Sequence, residues 1–183
     1  IDAADTWVRD RGMDRLVGPM DFTMNDEVGI LIEGFDLRPM LKQPWHPPYY
    51  QRLCEEAGLE KAKDLFMWDL DVGQRKNILP IIFDLDKVAR EQHGIRIRKM
   101  TRRTLRQDLE AFQEVYNAAW SKNWGFTPYS KEDLDAYAWD MQLVFHPDWF
   151  MVAETPEGEV AGVAISPLDV NQALAKMGGR LLP

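Results

Sequence analysis

The sequence is poor in the residues that carry cross-links and metal chemistry. Cys54 is its one cysteine, so no internal disulfide can form. Its three histidines, His46, His93 and His146, stand at no spacing to carboxylates or to Cys54 that would build a metal site, and no metal is expected. No apolar stretch approaches the ~20 residues that a membrane helix needs, because charges interrupt each one. Positive charge is not in excess either. Lys and Arg number 22 against 30 Asp and Glu, giving a net charge of -8 and a pI near 4.9. Such a chain repels phosphate backbones as a whole, so neither nucleic acid nor a membrane is expected as a partner. With no cysteine pair and no basic and apolar leader, the reading is of a reducing, cytoplasmic setting.

What is present is the material of a globular core. Hydrophobic residues make up 45% and charged residues 28%, and seven Trp and eight Phe supply bulk. A local basic cluster, Arg96, Arg98, Lys99, Arg102, Arg103 and Arg106, offers either a solvated strand and first helical turn or a surface for a phosphate or an acidic partner. The chain begins at Ile1 inside a helical pattern and stops on Leu181-Leu182-Pro183, which reads as a fragment of a longer protein.

Periodicity divides the chain into elements. Ile1, Ala4, Trp7 and Val8 share a helical face, with Gly12 as a left-handed cap. Arg15 to Thr23, Gly29 to Phe35 and Lys63 to Asp71 read as strands. Four prolines between Arg38 and Tyr50 make an ordered loop or arm, whose Pro47-Pro48 presets a helix from Tyr49 to Ala57 that Gly58 ends. Apolar residues at helical spacing predict a helix from Arg75 to Gln92, ended by Gly94 and followed by a half-buried strand, Ile95 to Met100. Leu105, Leu109, Phe112, Tyr116 and Ala119 mark a long helix. Ser130-Lys-Glu-Asp133 opens another through a capping box, and His146-Pro147 stops it. Trp149 to Glu154 and Val160 to Ile165 predict a hairpin around Pro156-Glu157-Gly158-Glu159. A short helix from Val170 to Met177 then meets Gly178-Gly179-Arg180 as its cap.

The order strand, helix, helix, hairpin from Ile95 to Ile165 resembles the first five elements of GNAT-family N-acetyltransferases. Trp149-Phe-Met-Val-Ala-Glu154 and Val160-Ala-Gly-Val-Ala-Ile165 look like that family's second and third strands. Residues 1–72 resemble the family's closing half, and Leu53-Cys-Glu-Glu-Ala-Gly-Leu59 is similar to its Leu-Tyr-Glu-Lys-x-Gly-Phe signature. The resemblance implies an α/β fold with a mixed sheet flanked by helices, the end of one GNAT-like unit joined to the start of a second. Its pieces are residues 1–72, a connecting helix over 73–94, and 95–183. The family's Gln/Arg-x-x-Gly-x-Gly/Ala turn, whose N–H groups hold the CoA pyrophosphate, does not occur in the chain.

The activity implied is transfer of an acetyl or other acyl group from acetyl-CoA or another acyl-CoA, as co-substrate, to a small-molecule amine. The amine attacks the thioester carbonyl, a carboxylate or water takes its proton, and a Tyr protonates the departing thiolate. Alignment on Leu53 to Leu59 puts Cys54 in that Tyr position, with Tyr50, one helical turn back, as the substitute acid or else a packed helix residue. Glu154 is the candidate base or a solvated strand end. The turn containing Trp124, Phe126 and Tyr129 sits where the family shapes its acceptor pocket, and apolar helix-end packing accounts for it equally. Asn25 and His46 lie in irregular segments beside the expected cofactor cleft, as hydrogen-bond donors to acyl-CoA or as ordinary polar loop residues. The alternatives are a non-catalytic GNAT-like module that binds a ligand or partner, and a scaffold using the arm from Pro39 to Tyr50. Without the strand that carries the pyrophosphate turn, each half sheet keeps an open edge. A homo-oligomer, or further chain segments completing the sheet, is therefore expected.

Overall fold

A computed structural model describes residues 1–178 and divides the chain into two compact units, Ile1–Met67 and the remainder from Trp68. Gly179 and Arg180, expected to share a helix cap with Gly178, lie outside the described residues.

The first unit holds two helices in a largely irregular chain. Helix α1 (Asp2–Arg9) places Asp2 and Asp5 in its first turn and Arg9 in its last, which suits the helix dipole, and Arg9 Nε bonds the Asp5 carboxylate at 2.8 Å. Val8 is its buried residue. Helix α2 (Tyr49–Glu56) follows Pro48 and ends where Gly58 turns left-handed at φ 80°, with the Leu59 N–H closing back on the Cys54 carbonyl at 3.0 Å. The three strands expected here do not form. The only pairing in this unit among the described residues is an isolated antiparallel bridge between Met20 and Val28. Alternating apolar residues become a strand only against a partner, and Lys63 to Asp71 has none: Phe66 and Trp68 both stand in solvent.

The second unit opens irregularly. A 3-10 turn (Arg75–Asn77) precedes helix α3 (Pro80–Glu91), where a continuous helix from Arg75 was expected. Pro80 explains the break. Its ring disfavours helical backbone at the residue before it, and Leu79 is extended at ψ 131°. Gly94 then reverses the chain at φ 64°, and a Cβ there would lie 2.7 Å from Pro156 Cγ, so the position admits only glycine.

From here the elements run β1 (Arg96–Lys99), α4 (Leu105–Trp120), α5 (Lys131–Val144), β2 (Phe150–Glu154), β3 (Val160–Ile165) and α6 (Asn171–Lys176). The strands form a sheet in the order β1-β2-β3, antiparallel throughout, with Arg98 opposite Val152 and Val152 opposite Val163. Ser130 caps α5 as its sequence predicts: its hydroxyl accepts from the Asp133 N–H at 3.1 Å while the Asp133 carboxylate accepts from the Ser130 N–H at 2.8 Å. Helix α4 packs on α5 and on β3. Between these layers lies the core, with Met100, Leu105, Leu109, Leu134, Met141, Val144, Phe145, Phe150 and Val152 buried and the Phe145 and Phe150 rings edge to face at 4.9 Å. No helix among the described residues is long and apolar enough to cross a membrane.

Candidate functional site

Two side-chain constellations of the second unit stand out, one ionic and one aromatic. The ionic one begins with β1. Because a strand alternates its side chains, Met100 in the core puts Arg98 on the inner face and leaves Ile97 half in solvent. An arginine facing inward needs partners, and it has two. Its Nη2 donates to Asp108 Oδ1 at 2.7 Å and its Nε to Glu154 Oε1 at 2.6 Å. Asp108, in the first turn of α4, has only 3% of its side chain exposed, and its Oδ2 is buried without a partner. The bond it donates to Asp108, followed by that to Glu154, pushes the Arg98 pKa up, so the guanidinium is held charged. This group ties β1, α4 and β2 together.

The rest of the basic cluster is also answered largely from within the chain. Lys99 pairs with Asp148, whose carboxyl it holds below the usual carboxylate range. Arg106 meets Asp135 at 2.8 Å, and Arg102 donates to the Gln142 carbonyl at 3.1 Å.

The aromatic constellation occupies the end of α4, the turn after it and the facing side of α5. Tyr116 is its hub, with ring centroids of Phe112, Trp120, Phe126 and Tyr129 at 5.0 to 5.8 Å, and Tyr137 joins through Tyr129 at 5.9 Å. Burial pushes the Tyr116 hydroxyl pKa up. The turn is clamped by two amides one helical turn apart on α4. The Tyr129 carbonyl accepts from Gln113 Nε2 at 2.6 Å and from Asn117 Nδ2 at 3.1 Å, while the Tyr129 N–H donates to Asn117 Oδ1 at 3.0 Å. Phe126 and Tyr129 thus pack against α4, whereas Trp120 and Trp124 remain exposed at the rim. Chemically this is an apolar wall with a fixed backbone, able to lie along a hydrocarbon chain or an aromatic ring.

The site residues expected from sequence fall into separate groups. Phe126 and Tyr129 come together around Tyr116, with Trp124 in the same turn. Glu154 is anchored to Arg98. In the first unit His46 and Tyr50 do meet, their rings 4.9 Å apart, and His46 Nδ1 is buried without a hydrogen-bond partner. Asn25 lies in a turn where its carbonyl accepts from Lys42 Nζ at 3.2 Å and its N–H donates to the Thr23 hydroxyl oxygen at 3.1 Å. Cys54 is a free thiol on α2. Sequence reasoning singled out Arg98 only as one of a basic cluster and missed Asp108, Gln113 and Asn117. The last two carried a signal, paired amides at i and i+4 beside an aromatic turn, whereas nothing local marks Asp108 as the partner of Arg98. Among the described residues no group of three or more His, Cys, Asp or Glu could hold a metal ion.

No family model matches the sequence, and no solved structure matches it. Two curated proteins do. Over 187 residues, 99% of its length, the chain is 34% identical to the bacterial ceramide synthase of Caulobacter vibrioides and covers 46% of that protein. It is 28% identical over 183 residues, 99% of its length, to the protein YghO of Escherichia coli, of which it covers 45%. The chain spans about half the length of the curated relatives it matches.

Proposed function

We propose that the chain is part of an acyl-CoA-dependent N-acyltransferase of GNAT-like build that forms an amide on a long-chain, apolar amine. The observation that carries this reading is the similarity along 99% of the chain to a bacterial ceramide synthase. Ceramide is the amide of a fatty acid with a long-chain amino alcohol, so a synthase of it joins acyl carbon to amine nitrogen. The strand order from β1 to β3 with α4 and α5 between is consistent with a platform for that reaction, and the aromatic wall around Tyr116 suits an apolar acceptor better than a small polar amine.

Within this scheme Tyr50 is the first unit's candidate acid and Glu154 the second unit's candidate base, each serving its own site. Glu154 Oε1 is engaged by Arg98 at 2.6 Å. The residues present do not fit the CoA pyrophosphate. The chain lacks the glycine turn, and the N-terminus of α5 is closed by Ser130 and Asp133.

The test uses the full-length protein that contains this chain, offered acetyl-CoA or palmitoyl-CoA with either a short amino alcohol or a long-chain one. Amide mass and free thiol are followed together. The expected result is one thiol released per amide, with the long-chain amine preferred and Trp124→Ala raising KM for it while kcat holds. Amide formed equally well from the short amine would sink the acceptor assignment. A second reading, a non-catalytic ligand-binding module, is favoured by Cys54 standing where the family has its acid. It predicts that the long-chain amine raises the melting temperature with no thiol released under any pairing.

A further inference from the structure

The ionic group around Arg98 is poorly built for stability alone. Asp108 is almost wholly buried, yet its Oδ2 has no hydrogen-bond partner, and an unsatisfied buried oxygen destabilises a fold. Well-packed apolar side chains in place of such ions are often as stable or more so. What a guanidinium locked between two carboxylates supplies instead is orientation: Nη2 on Asp108 fixes the plane in which Nε meets Glu154 Oε1. Glu154 also stands where the sheet breaks its register. Gly162 lies opposite Ala153 but Val160 opposite Glu154, so Ala161 is left over, a bulge of the kind that re-aims a side chain. By alternation with the buried Phe150 and Val152, Glu154 falls on the inner face of β2, and 27% of its side chain stays exposed.

Along α4 this group is continuous with the aromatic wall. Asp108, Phe112, Tyr116 and Trp120 follow at intervals of four residues, so they form one stripe that rises about 6 Å at each step. Phe112 meets Tyr116 at 5.6 Å between ring centroids, and Trp120 stacks on Tyr116 at 5.6 Å. One stripe thus joins a charged head to an apolar tail, the layout of an amphiphile with a basic group at one end. We propose that Arg98 and Asp108 are positioning residues that act through Glu154, holding its carboxylate at the head of this stripe, where it takes a proton from the ammonium group of a long-chain amine acceptor. The proton passes from nitrogen to carboxylate oxygen, leaving a neutral amine with a free lone pair and a carboxylic acid. This rests on the acyl-transfer reading and adds the direction in which the acceptor lies, nitrogen at Glu154 and hydrocarbon toward Trp120.

The full-length protein that contains this chain is assayed for thiol release with palmitoyl-CoA and a long-chain amino alcohol, and melting curves are taken alongside. Glu154→Gln is expected to lower kcat at least about 100-fold. Arg98→Met/Asp108→Leu, which replaces the ions by an apolar pair, should melt close to the unaltered protein. Its kcat is nonetheless expected to fall about 100-fold, with KM for the amine within about twofold. A purely structural role predicts the reverse, kcat returning with the melting temperature. Adding Glu154→Gln to the double variant should slow it no further, since all three side chains act at one carboxylate. Arg98→Lys keeps the charge without the fork; it is expected to lose at least about tenfold in kcat, and it decides the matter if the double variant melts early. No thiol release by the unaltered protein would sink the acyl-transfer reading and this inference with it. Three results would overturn the positioning role while acyl transfer stands: thiol release that Glu154→Gln leaves unchanged, full kcat in the double variant or in Arg98→Lys, or a triple variant slowed by the product of the separate factors.

Discussion

The two units use similar residues to opposite effect. In Ile1–Met67 large apolar side chains such as Phe22, Leu37 and Phe66 stand in solvent, and only Val8 and Pro44 are buried. In the second unit every buried residue among those described lies between Met100 and Val152, and two helices cover a three-stranded sheet. What separates them is backbone pairing. Burying a side chain also buries the peptide groups beside it, and only regular elements satisfy those groups from within. A chain with two short helices and one isolated bridge cannot enclose its apolar residues, however many it has.

The sharpest way to break this comparison is a matched pair of truncations. Phe150, 0% exposed against the Phe145 ring, is expected to cost about 4 kcal/mol on change to Ala, read as a shifted urea midpoint of the second unit. Phe22, 90% exposed, is expected to change stability by less than about 0.5 kcal/mol on the same substitution. Comparable losses at the two sites would mean that the first unit holds a core the comparison denies it.

Next in size is the ionic group. Arg98→Met leaves the Asp108 carboxylate buried and unpaired, and about 3 kcal/mol of destabilisation is expected. That is the low end for a broken buried pair, because the guanidinium itself is 37% exposed. Adding Asp108→Leu should restore most of the loss, since an apolar pair of similar size replaces a charged one. No recovery in the double variant would locate the contribution of Arg98 elsewhere, in its bond to Glu154.

The smallest effect tests local order within the second unit. Ser130→Ala removes half the cap of α5 and should cost about 1 kcal/mol at neutral pH. The bonds from the Ser130 N–H and then its hydroxyl hold the Asp133 pKa below its ordinary value. A carboxyl depressed in the folded state contributes stability above its unfolded pKa, about 3.9, and loses it as pH falls through the folded value. The gap between the variant and the unaltered protein should therefore narrow below about pH 4. A gap independent of acid would show that the cap acts without the Asp133 charge.

The helices and most of their ends, the start of α3 excepted, were legible in the sequence, because each depends on residues within a turn of one another. The left-handed glycines after α1 and α2, the Ser130 box and the Pro156 to Glu159 hairpin were all placed by such short-range signals. So was the aromatic turn, although its clamp by Gln113 and Asn117 was not. What only the tertiary structure decided depends on partners far along the chain. Arg15 to Thr23 and Lys63 to Asp71 read as strands, yet the first pairs only through the isolated bridge of Met20 with Val28 and the second forms no strand. The inner face of β1 fell to Arg98 because Asp108 and Glu154, 10 and 56 residues away, were there to receive it. Residue order determines what a segment is able to become. Whether a strand forms, or a charge goes inward, is decided by the free energy of contacts that no local stretch contains.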